Sequence, residues 1–329
     1  MGLSEKVEFK TLDGLVLRGF LYCARAKGPA IVMTPGVSCS SDPMMTRHVV
    51  LLLISAHQFN FPVSLLYHEV ALGFQEAGIT ALVYDPRSVG RSDGLPRSDI
   101  NPAKQSEDFS DAITFLKTKS VVDPKRIALW GYSLSAAAAL MAASLDPRVK
   151  LVVAVCPAPM PYNFEVPGKR RKYLDLAVRD RESQARGKEP FYVQYIGDSE
   201  ETALFDYRKQ RGMEQLEYDE VVENLSKIAP GFRNEVTIQT LRRLGSWSFA
   251  DVPQRVGAIP VLQVFAIHEE LQHIRKTQEA IWNGLTGPKE RHMEDRGHMD
   301  ILTPDGHRFA HLVKVQVDFV LRKFSQRMR

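Results

Sequence analysis

Short apolar runs closed by turn residues alternate in this chain with stretches of helical period, and that alternation limits the fold more than any single motif does. The runs lie at residues 29–34, 79–84, 126–130, 151–156 and 260–266. Between them, residues 68–77 carry a helical period that stops at Gly78, residues 102–118 set Phe109, Ile113 and Leu116 on one face, and residues 134–145 are rich in alanine. Apolar runs without strict alternation suit strands buried on both faces, and a helix joining two such strands makes a parallel crossover. The expectation is an α/β fold with a mostly parallel, doubly wound sheet.

Val7 and Phe9, a turn at Asp13-Gly14 and residues 15–22 read as a hairpin that opens the sheet. After Pro159 the alternation stops: residues 160–253 are polar, charged and largely helical in pattern. It resumes at 260–266, with a helix near 275–282, a strand around 291–294 and a terminal helix whose face includes Phe309, Leu312, Val313, Phe319 and Val320. A sheet interrupted in this way predicts one core in two parts, residues 1–159 and 254–329, with a helical lid inserted at 160–253. A chain of 329 residues is long enough to close a single large core around it.

Composition excludes several functions. Lys and Arg number 43 against 39 Asp and Glu, a surplus of +4 that is far too thin for a dedicated nucleic-acid binder. Three cysteines, Cys23, Cys39 and Cys156, are too few and too scattered for a disulfide framework or a zinc finger. The opening MGLSEKVEFK carries charge where a signal peptide needs an apolar core, and Lys6 stands where a myristoylation signal needs Ser or Thr. A cytoplasmic protein is expected. Residues 49–67 are uncharged and about long enough to span a bilayer, but His57, Gln58, Asn60 and Pro62 fall at their middle, so no stable membrane insertion is expected.

The strongest chemical signal is Trp130-Gly131-Tyr132-Ser133-Leu134-Ser135, set between an apolar run and a helix of small residues. A serine nucleophile on a sharp strand-to-helix turn needs small flanking residues so that helix and strand can approach. Gly131 meets that need, and Ser135 departs from the usual G-x-S-x-G. A turn with a capping serine would look similar. Thr34-Pro35-Gly36-Val37-Ser38 follows the first buried run, where an oxyanion hole takes one backbone N–H to pair with the one after the nucleophile. Val37 and Leu134 are the candidate donors, each worth about 3 kcal/mol to a developing oxyanion. His298 follows the last expected strand, in the chain position of a general base, while His292 falls inside that strand and His307 and His311 on or beside the terminal helix. The acid should close the run at 260–266, which leads into Ile267-His268-Glu269-Glu270. Glu269 is the candidate, with Glu270 the alternative.

Residues 84–94, YDPRSVGRSDG, resemble the D-x-R-G-x-G-x-S segment of α/β-hydrolases, with Ser88 where glycine is usual. With TPGVS, GYSLS and the closing GHMD, the chain resembles the fungal α/β-hydrolases of polyketide biosynthesis, of the polyketide transferase and thiohydrolase type. The resemblance implies an α/β-hydrolase fold acting on a thioester or ester of a polyketide, released to water or passed to an alcohol or amine. It calls for no metal or organic cofactor. Residues 47–67 exceed what the resemblance would place there, as a true insertion shaping the site or as translated intron sequence.

Phe164, Tyr173, Phe191, Tyr192, Phe205 and Tyr207 are candidate linings of an apolar acyl pocket under the lid, though burial alone would also explain them. The basic run KRRK at 169–172 is either a solvated helix face or a surface for an acidic acyl carrier protein. A general esterase or peptidase of the same fold, and a homologue that only binds a small molecule, stay open as alternatives.

Overall fold

The computed structural model describes residues 4–35, 64–159, 168–197, 203–206, 233–269, 272–298, 301–304 and 306–326. The chain opens with an antiparallel hairpin, β1 (Glu5–Lys10) and β2 (Val16–Tyr22). There follow β3 (Gly28–Thr34), α1 (Ser64–Glu76), β4 (Thr80–Tyr84), α2 (Pro102–Leu116), β5 (Val122–Tyr132), α3 (Leu134–Leu145) and β6 (Val149–Val155). After an excursion, the core resumes with β10 (Val261–Ala266), α7 (Gln272–Gly284), β11 (Lys289–Glu294) and α8 (His307–Gln326). Among the described residues these strands form one eight-stranded sheet in the order β1-β2-β4-β3-β5-β6-β10-β11. Only β1–β2 and β2–β4 pair antiparallel; every pair from β4 to β11 is parallel.

Two apolar clusters explain why the strand runs lack alternation. Successive residues of a strand face opposite sides of the sheet, and in β3 Ala30 and Val32 enter one cluster while Ile31 and Met33 enter the other. The first cluster is closed by α2 and α3 through Phe109, Ile113 and Ala136, and the second by α1 and α8 through Phe74, Leu312 and Phe319. Each fully buried side chain of that size contributes about 1.5–3 kcal/mol. At β5, Trp130 ties the second layer down: its Nε1 donates to Gln316 Oε1 at 2.6 Å, and its ring meets Tyr67 edge-on at 5.3 Å.

The excursion between β6 and β10 holds α4 (Lys169–Ala185), β7 (Tyr192–Gly197), β8 (Ala203–Asp206), β9 (Glu235–Thr237), α5 (Ile238–Ser246) and α6 (Val252–Arg255). Helices were expected there; the small three-stranded sheet β8-β7-β9 was not. Its strands run only six, four and three residues, too few to show a period in side-chain hydropathy. β5 begins at Val122, ahead of the apolar run at 126–130: Val122 pairs with Gly28, and polar Asp123, Lys125 and Arg126 fall in the register shift before Ile127 pairs with Ala30. The excursion is fastened to the core: Thr237 Oγ1 donates to Asp99 Oδ1 at 2.6 Å, and the Ile100 N–H donates to Thr240 Oγ1 at 2.9 Å.

The resembling segment after β4 is locked by Arg87. Its guanidinium grips Asp108 of α2 through Nε at 2.9 Å and Nη2, and reaches Asp13 of the β1–β2 turn through Nη1 at 2.8 Å. Asp108 is fully buried, and that burial pushes its carboxyl up to about 6 even with Arg87 against it. Ser88 has φ 64°, the left-handed region that makes glycine usual there. Its hydroxyl compensates by donating to the Asp99 carbonyl at 2.9 Å and accepting from the Asp99 N–H at 3.1 Å.

Candidate active site

The carboxyl ends of β5, β6, β10 and β11 lie side by side in the sheet, so the residues just past each strand converge. Past β5 comes Ser133, at φ 57° and ψ −121°, a strained conformation for any residue but glycine. Neighbouring backbone holds it there: the Ser133 N–H donates to Val155 O at 2.9 Å, and its carbonyl accepts from Ala158 N at 3.0 Å. Gly131 cannot be larger, because a Cβ there would sit 2.3 Å from the Ser135 carbonyl oxygen.

Ser135, the departure from the usual glycine, makes the turn a three-way junction. Its Oγ lies 2.7 Å from the Thr34 carbonyl at the end of β3 and 3.0 Å from the Tyr132 carbonyl, and it accepts from the Tyr132 N–H at 3.1 Å. Restoring glycine by Ser135→Gly is therefore expected to destabilise the protein by about 1–3 kcal/mol, since buried backbone groups lose their partner. Urea denaturation checks this; an unchanged midpoint would mean that the hydroxyl holds nothing.

Past β11 comes His298, buried, with Nε2 3.0 Å from Ser133 Oγ and Nδ1 3.0 Å from Glu269 Oε2. Its backbone carbonyl accepts from Tyr132 OH at 2.6 Å, tying the loop to the serine turn. Glu269 lies past β10, and its Oε2 also accepts from Gln278 Nε2 at 2.9 Å. The two loops are zipped beyond the strands: the Ile267 N–H donates to Glu294 O at 2.8 Å and the His268 N–H to Arg296 O at 2.9 Å. Hydroxyl, imidazole and carboxylate thus form one chain of hydrogen bonds, an arrangement able to move a proton off the serine.

Among the described histidines, His292 lies 3.0 Å from Glu294, His268 2.7 Å from Asp295 and His68 2.6 Å from the Tyr22 hydroxyl, while His307 and His311 belong to α8. Leu134 opens α3, whose first amides have no partners within the helix. Val37 and Glu270 lie outside the described residues, as do residues 47–63 of the uncharged segment and, of the pocket candidates, Phe164 and Tyr207. Phe205 belongs to β8. Tyr173 is packed into the first apolar cluster, Phe191 is half exposed and Tyr192 is partly buried. Arg170, Arg171 and Lys172 are exposed on α4, and Arg171 pairs with Asp175 at 3.0 Å.

Two neighbours of the site escaped the sequence reading. Gln278, on α7, is buried and steadies Glu269, while its carbonyl accepts from buried Gln263 at 2.9 Å. Cys156, the first residue past β6, is fully buried at φ 46°. Both gain their place at the site only from the strand order, which the sequence does not carry. Among the described residues no helix is long and apolar enough to cross a membrane.

Comparison with known proteins places the chain in a family. The sequence pattern of the alpha/beta hydrolase family matches residues 31–312. The chain is similar to a thiohydrolase, apmlB, of Arthrinium phaeospermum, at 88% identity over the whole of both chains. It is 36% identical to the polyketide transferase ATR5 of Stachybotrys chlorohalonatus, over 97% of each chain. Among solved structures, the alpha/beta hydrolase GrgF of Penicillium sp. sh18 superposes with a TM-score of 0.78 at 30% identity, covering 98% of this chain and 99% of that one. With a family pattern running from β3 into α8, and a serine turn, histidine loop and acid loop at the sheet ends where that fold keeps them, the chain belongs to the alpha/beta hydrolase family.

Proposed function

We propose that this protein is a serine-dependent enzyme that opens a thioester or ester of a polyketide acyl chain, with Ser133 as nucleophile, His298 as general base and Glu269 as the acid that orients it. The observation that carries the reading is the unbroken run from Ser133 Oγ through His298 to Glu269, 3.0 Å at each step, on a turn that holds the serine in a strained conformation. Ser133 gives its proton to His298 Nε2 as Oγ bonds to the acyl carbon. Glu269 keeps the other ring proton on Nδ1 and stabilises the imidazolium without taking the proton itself. The N–H groups of Leu134 and Val37 are assigned to the oxyanion. Collapse of the tetrahedral intermediate expels the thiolate or alkoxide, protonated by His298, and water or a second nucleophile then resolves the acyl-enzyme.

The names of the relatives, thiohydrolase and polyketide transferase, support an acyl thioester substrate and leave both water and an organic nucleophile as acceptors. Residues 160–253 are read as the lid that decides between them by admitting or excluding water. An acyl carrier protein would deliver such a substrate, and the exposed cations of α4 are the surface assigned to it; a purely solvated helix face is the simpler alternative. A cytoplasmic location goes with this reading.

Steady-state rates on a panel of acyl thioesters, oxygen esters and aminoacyl amides test it, with and without added alcohols and amines. The highest kcat/KM is expected on thioesters of long acyl chains. A clear preference for aminoacyl amides would replace this reading with that of a peptidase.

A further inference from the structure

Cys156, Glu269 and His298 bring three kinds of ligand to one buried spot at the ends of β6, β10 and β11. One sulfur, one carboxylate oxygen and one ring nitrogen lie within 4.8 Å of one another. The proposed reaction uses the imidazole and the carboxylate and gives the thiol no task. Thiolate, imidazole and carboxylate are also the ligand types of tetrahedral zinc sites, at bond lengths of about 2.3, 2.0–2.1 and 2.0–2.2 Å. Such lengths set ligand atoms roughly 3.3–3.6 Å apart in a tetrahedron, and His298 Nδ1 and Glu269 Oε2 already stand 3.0 Å apart. All three ligand residues are buried, and Ser133, on the Nε2 side of the ring, is partly exposed.

We infer that Cys156, Glu269 and His298 form an inhibitory site for a borderline or soft divalent cation, Zn2+ or Cd2+. Binding releases the thiol proton to solvent and shifts the ring proton from Nδ1 to Nε2, because Nδ1 gives its lone pair to the metal. The imidazole then donates to Ser133 Oγ instead of accepting from it. The serine stays intact but loses its base. No oxidation or reduction is involved, and removal of the metal restores the working tautomer.

The test titrates Cd2+ into wild type, Cys156→Ser, Cys156→Ala and the Cys23→Ser/Cys39→Ser double variant, following the ultraviolet thiolate-to-cadmium charge-transfer band. Inhibition of acyl-thioester turnover by buffered Zn2+, reversed by a chelator, is read in parallel. The band is expected at one equivalent in wild type and in the double variant, and absent from both Cys156 variants. Zn2+ inhibition should weaken at least about tenfold in those variants, the scale on which even indirect partners move metal affinity. Circular dichroism identifies a variant that fails to fold, and the alanine form, apolar like its surroundings, backs up the serine form. A band that survives loss of Cys156, vanishes with Cys23 and Cys39, or never forms in wild type overturns the site. Inhibition rests on the proposed acyl-transfer reading, but the band does not: a band without any thioester turnover would sink that reading and leave the metal site standing.

Discussion

Ser133→Ala is expected to lower turnover of an acyl thioester by about four to six orders of magnitude, with KM little changed, since the hydroxyl acts in the bond-making step rather than in binding. The expectation follows from the hydrogen-bond chain, in which His298 Nε2 lies 3.0 Å from Ser133 Oγ. Intact-mass measurement after treatment with a fluorophosphonate should find one adduct on wild type and none on the variant. What activity remains should come from the oxyanion donors and from binding, which alone accelerate such reactions by about 10³–10⁴ over water. Substantial turnover by Ser133→Ala, or a fluorophosphonate adduct elsewhere with Ser133 unmodified, would remove the serine from the mechanism. Absence of any adduct on folded wild type would favour a protein that only binds its ligand.

The largest effect on stability is expected at Arg87. Arg87→Ala leaves the Asp108 carboxylate buried and unpaired and frees Asp13, so the chain should lose about 3–5 kcal/mol. Three segments distant in sequence meet on that guanidinium: the hairpin turn through Asp13, the loop after β4, and α2 through Asp108. Burial pushes the Asp108 carboxyl up to about 6 even though Arg87 lowers it, so lost hydration outweighs what the ion pair returns. The double variant Arg87→Met/Asp108→Leu should therefore recover most of the loss, because neither charge then needs a partner. Guanidinium denaturation of wild type, both single variants and the double variant gives the coupling directly. Additive losses in the double variant would mean that the pair contributes through packing rather than charge.

The core elements were legible because β3, β4, β6 and β10 are buried on both faces and so spell their positions in apolar residues. The strands of the excursion were not, because runs of three to six residues, Tyr192–Gly197 and Glu235–Thr237 among them, are too short to show a period. The serine turn and His298 could be read from chain order and from Gly131, whose missing side chain is a steric requirement visible in the residue itself. Glu269 against Glu270 could not be decided from a pair of adjacent carboxylates in a loop; the structure brings Glu269 onto His298. Cys156 and Gln278 were illegible for a further reason. A lone apolar-run cysteine and a helix glutamine gain meaning only from strand order, and sequence does not print the order β5-β6-β10-β11.

The two hydrogen bonds that carry the β10–β11 ladder past the strand ends, from Ile267 and His268, bear on how the site works as an electrostatic environment. Dipoles stabilise a forming charge most effectively when they need not turn to meet it, and turning is what water must do. Here the loop carrying the carboxylate and the loop carrying the imidazole are aligned by the same ladder that forms the sheet. The reorganisation needed to hold an imidazolium beside Glu269 is completed as the chain folds, so little of it is left to the moment of reaction.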